Sequence, residues 1–221
     1  ENWQEAGGAL LPPDAFPTPA PADGPRAAVV SSSASPYVTR AERLTQLMIS
    51  SARRRLWISN AYFVPSQAIR ALLAQKADEG VDVRVLTAGK KSDSKTSFGL
   101  QQGVYGSLGQ HGVRFFEYQP SMLHSKTMLV DDHLSLIGSI NLDPLSLNTL
   151  EDIALVVDDP KLNAELAERF ERYRSGEPLS PTALSSLLVD AGRALSPFIA
   201  SIFGVAEARE RLLARSDRDQ V

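Results

Sequence analysis

The sequence has no cysteine, which excludes disulfides and leaves the redox compartment undetermined. No apolar run reaches the ~18–20 residues of a membrane span, and no secretory leader is visible. An excess of positive charge is also missing. With 23 Lys and Arg against 26 Asp and Glu the net charge is −3, so no global basic field points to nucleic acid. The chain does not begin with Met; opening at Glu1, it reads as a cut or engineered fragment, and any targeting segment upstream would be out of sight. What is present is 221 residues, 43% of them hydrophobic, enough for one large domain or two small ones with a sizeable core.

The chemistry concentrates in Leu123–Asp131 and the following Gly138-Ser139-Ile140-Asn141, which together read H-x-K-x4-D-x6-G-S-x-N. His124 and Lys126 stand at the start of a short apolar run, Thr127 to Val130. Side chains two apart on a strand share a face, so an imidazole lies beside an ammonium. Asp131, Asp132 and His133 interrupt the run as a turn does, and Leu134 to Ile140 supplies the second arm of a hairpin. A turn centred on Asp132-His133 puts His124 opposite Asn141 and Lys126 opposite Ser139; a slip of one residue separates these groups. The cluster suits a phosphodiester. Lysine binds phosphate as a point charge, and Asn and Ser offer neutral donors. A histidine can attack phosphorus or protonate a leaving alkoxide near neutral pH. Fixed donors around the developing charge serve where a metal serves elsewhere.

Along the chain, residues 1–36 read as a Pro- and Ala-rich connector, extended and poorly packed, with a short strand possible over Ala27–Val30. Tyr37 to Arg54 has helical periodicity. Arg53-Arg54-Arg55 is either a solvated helix end or a contact for anionic lipid or phosphate. Leu56–Ser59 is a strand, and Ser66 caps a helix from Gln67 to Glu79. Val81–Leu86 alternates as a strand does, so a β-α-β crossover is expected. The polar loop Gly89–Lys95 is not a P-loop, because no glycine stands at 84 and no GK[ST] is completed. Thr96 to Gln110 reads as a helix; its four glycines imply close packing on the sheet or a weak helix. Val113–Tyr118 and Ile153–Val157 are strands, and Pro160–Tyr173 is an amphipathic helix. Residues 176–221 read as a helical extension and tail. Its one or two helices carry apolar Leu184, Leu188, Phe198 and Ile202 among others and Pro197 breaks them; the extension either packs on the main domain or lies in a membrane interface. His111 and His133 lack partners at ligand spacing, so neither a metal nor a cofactor is expected.

The H-x-K-x4-D run with G-S-x-N resembles the defining motif of the phospholipase D superfamily. Asn60–Pro65 is similar to that family's "PYFVP" loop, with Ala61 where Pro is usual. Leu142–Glu151 resembles its "NLDPRSLxLNxE" run, with Leu145 in place of Arg. These stretches lean towards the cardiolipin synthase-like and bacterial phospholipase D branch, and Glu1–Ala6 resembles the segment leaving such proteins' first half. The resemblance implies an α/β class domain over residues 37–175, an α/β/α sandwich around a mixed β-sheet. It implies phosphatidyl transfer or phospholipid hydrolysis through a phosphohistidine. His124, Lys126 and Asp131 would form the catalytic motif, Asp131 in a structural part. Lys126, Ser139 and Asn141 would hold the phosphate, and Glu151 or Asp152 would orient the imidazole. Tyr62 and Phe63 would line a substrate channel or fill the core; Lys90, Lys91 and Lys95 would meet a headgroup or water.

Family catalysis takes two such motifs, and this chain carries one. The other would come from an N-terminal half, in the same or a separate chain, or from a homodimer; alone, the chain is expected to be silent. The implied partner is phospholipid at a membrane surface, not nucleic acid, in a bacterial protein that is peripheral to the membrane or cytoplasmic. The rival readings are a nuclease or other phosphodiesterase on the same scaffold, and a non-catalytic partner half, against which intact His124, Lys126 and Asn141 speak.

Overall fold

A computed structural model describes residues 6–10 and 23–176. The chain divides into two units, Pro25–Leu179 and Glu1–Gly24 with Ser180–Val221. Of the latter, the described residues contribute a turn at Ala6-Gly7. The expected C-terminal helices, with Leu184 and Pro197, lie outside the described residues, as does Glu1–Glu5.

The elements of the first unit run β1 (Arg26–Ser32), α1 (Arg40–Ser51), β2 (Arg55–Asn60), α2 (Gln67–Asp78), β3 (Asp82–Ala88), α3 (Lys95–Gly109), β4 (Arg114–Tyr118), β5 (Lys126–Val130), β6 (Leu134–Gly138), α4 (Pro144–Asn148), β7 (Asp152–Asp158) and α5 (Pro160–Arg174). The strands form one seven-stranded sheet in the order β1-β7-β6-β5-β2-β3-β4. It is mixed: β2, β3 and β4 run parallel, and β5, β6, β7 and β1 join antiparallel. Parallel neighbours need a crossover, and α2 and α3 supply the two.

Alternation along β2 sorts the layers. Leu56 and Ile58 point one way and join Met48 and Ile49 of α1, Ile69 and Leu73 of α2, and Val104 and Leu108 of α3 in the main core. Full burial of each such side chain contributes roughly 2 kcal/mol. Trp57 points the other way and stacks on Phe170 of α5, ring centroids 5.0 Å apart. The result is an α/β/α sandwich, as the sequence led one to expect. Thr39, Ser66, Ser94, Asp143 and Asp159 each cap a helix by accepting a backbone N–H, and Pro144 and Pro160 follow as first-turn residues.

Three expectations need correction, and of the two readings of the α3 glycines the close packing is set aside. The sheet begins at Arg26, inside the stretch assigned to the connector; β1 pairs along its whole length with β7, from Arg26 with Asp158 to Ser32 with Asp152. The first helix starts later and stops earlier than 37–54, because Thr39 caps it and Ala52 turns extended. The glycines of α3 do not pack closely: a Cβ at Gly99, Gly103, Gly106 or Gly109 would meet nothing within 4 Å. Finally, the hairpin is one residue out of the expected register. Val130 pairs with Leu134 and Thr127 with Ile137, which brings Gly138, not Ser139, level with Lys126. The turn holds three residues rather than two, and Asp131 opens it in the left-handed region at φ 50°.

Candidate active site

The site forms where β2 ends and β5 begins, level with each other: Asn60, the last residue of β2, pairs across the ladder with Lys126. Crevices at the carboxyl ends of parallel strands are where α/β folds place their ligands. Lys126 shares a face with Met128 and Val130, turned towards the main core, and is 8% exposed. Its Nζ donates to the His124 carbonyl oxygen at 3.0 Å, its one hydrogen bond among the described residues. Burial pulls the ammonium's pKa down, opposed by the carboxylates of Asp152, Asp143 and Asp93 at longer range. His124 stands just before the strand and is exposed. Its ring forms no hydrogen bond among the described residues and meets the Tyr62 ring edge-on, centroids 6.1 Å apart. The Lys126 ammonium lies 5.9 Å from the centroid of the same Tyr62 ring.

Asn141 is held by its surroundings. The Asn60 side chain donates to the carbonyl of Ile140 at 3.2 Å and accepts from the N–H of Leu142 at 3.0 Å, gripping the chain on either side. The Asn141 N–H donates to the Ser146 hydroxyl. Ser146 and Ser139 in turn donate to the two oxygens of Asp152, both at 2.5 Å. Asn141 Oδ1 is the one buried side-chain polar atom among the described residues that lacks a partner. Such an orphan costs free energy unless a ligand meets it.

The expected site residues thus separate. His124, Lys126 and Asn141 converge on one end of the sheet. The Ser139 hydroxyl, expected beside the phosphate, donates to Asp152, and the shifted register sets it beside the start of β7. Gly138 belongs there for a different reason, since a Cβ would strike the backbone of β7, 2.7 Å from the Ala154 Cα and nearer still to the Ile153 oxygen. Of the two candidate acids, Asp152 is the one built into the site, buried at 8% exposure, whereas Glu151 is exposed. Asp152 makes no direct hydrogen bond to His124; its oxygens are taken by the two serines.

Asp131 sits at the far end of β5. One carboxylate oxygen accepts the backbone N–H groups of Arg53, Arg54 and Arg55. Burial pushes this carboxyl up, but the three N–H bonds and the Arg54 charge outweigh it and hold it below the usual range. It ties the end of α1 to the start of β2. The three arginines lie at that same end, away from His124. Arg54 pairs with Asp132, and Arg55 donates to the Asp131 carbonyl and to Asn163.

The two loop aromatics also part company. Phe63 is fully buried against Phe115, while Tyr62 is half-buried at the site and donates to Asp93 Oδ1 at 2.7 Å. Of the loop lysines, Lys91 and Lys95 donate to the carbonyls of Pro120 and Lys90. His111 bonds Asp78 and His133 lies by Asp132, both off the site. Sequence reading missed Asn60, Ser146 and Asp93. For Asn60 a signal existed: an amide directly after the strand run Leu56-Trp57-Ile58-Ser59 is buried, and a buried amide needs partners.

Residues 46–174 match the family described as "Cardiolipin synthase, PLD-like domain". Cardiolipin synthase A of Pseudomonas entomophila is 39% identical over 160 residues, 72% of this chain and 33% of that protein. The chain spans about a third of the length of the curated relatives it matches. Among solved structures, a phospholipase D family member, Nuc from Salmonella typhimurium, superposes with a TM-score of 0.55 at 22% identity, covering 67% of this chain and 93% of that one. The phosphatidylserine synthase of Haemophilus influenzae gives a TM-score of 0.55 at 15% identity, over 82% of this chain and 48% of that one.

Proposed function

Because this chain belongs to the family of PLD-like domains of cardiolipin synthases, we propose that it supplies one half of a phosphatidyltransferase site acting on phospholipid phosphodiesters. The observation that carries the reading is Lys126: an ammonium withdrawn from water, beside an exposed imidazole, with no carboxylate bonded to it. A buried cation in that condition favours an anionic ligand. A phosphate between His124, Lys126 and Asn141 fits the vacancy in charge, and the Asn141 amide offers either a donor to a phosphate oxygen or an acceptor to an alcohol hydroxyl.

His124 and its counterpart from a second motif divide the chemistry. One imidazole nitrogen forms a bond to phosphorus as the bond to the leaving alcohol breaks. The other imidazole, protonated, gives its proton to the departing oxygen. An acceptor alcohol then returns a proton to that second imidazole, attacks phosphorus and releases the first. Lys126 and Asn141 hold the non-bridging oxygens throughout, and no metal is required. The counterpart comes from an N-terminal half in the same or a separate chain, or from a second copy. Among the described residues no helix is long and apolar enough to cross a membrane, and the working place proposed is the surface of a bacterial membrane.

The test is product analysis. The polypeptide is assayed alone and joined to an N-terminal half bearing the second motif, on phosphatidylglycerol vesicles and on single-stranded DNA. Transfer or hydrolysis of the lipid by the joined form only is the expected result. Turnover by a strictly monomeric sample overturns the divided site, and cleavage of DNA alone overturns the lipid substrate.

A further inference from the structure

The reacting imidazole proposed above is poorly held by its own segment. Ser121–Ser125 has no regular structure, His124 is exposed, and its ring has no hydrogen-bonding partner among the described residues. An unrestrained histidine samples several rotamers, and positioning is worth a large part of a catalytic advantage. The ring that meets it is Tyr62. Tyr62 is itself fixed at its far end, where its hydroxyl donates to Asp93. Burial, with the Asp93 hydrogen bond and charge added, pushes the phenol up to about 12, so it stays a donor at any working pH.

Asp93 lies in the loop between β3 and α3, and that loop grips the His124 segment from its other side. Gly89 donates to the Tyr118 carbonyl at 3.0 Å. It sits so close that a Cβ there would come within 2.7 Å of that oxygen and of the Gln119 side chain. Lys91 donates to the carbonyl of Pro120 at 2.7 Å. One loop therefore fastens both the stretch that leads into His124 and the aromatic ring that abuts it. Below, Asn60 and Val64 anchor the Tyr62 segment on Leu142, Val64 donating to its carbonyl at 2.7 Å.

We infer that Tyr62, latched by Asp93, is a positioning residue that confines the His124 imidazole to the orientation facing Lys126. The inference rests on the reading of His124 as the reacting group, yet it can be examined without turnover. In the full chain, nuclear magnetic resonance of the His124 ring reports rotamer averaging directly. Tyr62→Leu is expected to average and broaden the ring signals, and Tyr62→Phe, which keeps the ring and loses the latch, to do so less. In the joined enzyme the same variants lower kcat by about tenfold and about threefold, with KM little changed, as loss of orientation requires. Asp93→Ala copies Tyr62→Phe, and Asp93→Asn, whose amide oxygen still accepts, restores most of the loss. The Tyr62→Phe/Asp93→Ala double variant is no worse than either single one. Unchanged His124 signals in Tyr62→Leu overturn the inference, and so do additive losses in the double variant. If the joined enzyme proves inactive on lipid, the resonance experiment still decides.

Discussion

At one end of β5 the Lys126 ammonium is buried against a single carbonyl oxygen; at the other the Asp131 carboxylate collects three backbone N–H groups on one oxygen. The two residues belong to one motif, but they answer to different demands. Lys126 carries a charge the fold does not neutralise, and the free energy of that charge is available to a ligand. Asp131 opens the hairpin turn in the left-handed region and pins the α1–β2 junction to the end of the strand on which Lys126 rides. A motif of this kind is thus one element of strain and one of support, set at the two ends of a single strand.

Substitutions at the two ends should therefore move different observables. The largest effect belongs to the reactive end: His124→Ala in the joined enzyme lowers turnover by roughly 10²–10⁴-fold while the denaturation midpoint stays put, since an exposed side chain is removed. An unaltered rate would show that the reactive end lies elsewhere. Next comes the supporting end. Asp131→Ala leaves three N–H groups without their acceptor and costs about 3 kcal/mol of unfolding free energy in urea titration; Asp131→Asn, which keeps an acceptor oxygen, costs less. Residual activity, normalised to folded protein, remains. A smaller effect has the opposite sign: Lys126→Met raises stability by about 1 kcal/mol, because an unpaired buried charge gives way to an apolar chain. Destabilisation there would contradict the contrast.

Acid and base sharpen it further. The Asp131 carboxyl is depressed in the folded state, so its contribution is complete above the ordinary value of about 4 and is lost as pH falls through the folded one. Lys126 is depressed too, and for a cation that means a cost while it is charged. The cost fades as pH rises from the folded value towards the ordinary lysine value of about 10. Stability profiles of Asp131→Asn below the ordinary carboxylate value of about 4 and of Lys126→Met as pH approaches the ordinary lysine value of about 10 should each lie flatter than the parent's.

Much of this was legible from the residues. The alternation of Val81–Leu86, the cap at Ser66 and the Pro160 helix start located their elements, and the spacing of His124, Lys126 and Asn141 foretold that these three would stand at one end of the sheet. The hairpin register was not legible. A two-residue turn was the economical assumption, whereas the turn takes a third residue, Asp131, whose carboxylate is held by three N–H groups from a distant segment. That one shift redirected Ser139 to Asp152 and left Gly138 beside Lys126. Counting left Glu151 and Asp152 both open; their burial differs because Asp152 starts β7. Asn60 escaped notice because its partners, Ile140 and Leu142, are far off in sequence. The first strand was half seen: Ala27–Val30 suggested it, but six prolines upstream drew the boundary too late.

That first strand has a practical consequence for anyone cutting the gene. A fragment trimmed at Tyr37 would keep every residue of the motif and lose the outer partner of β7 along its full length. The bared backbone, with Ile153 already in solvent beside it, would offer a ready template for pairing with neighbouring chains. Such a sample is expected to aggregate more readily, by light scattering, than one begun ahead of Pro25.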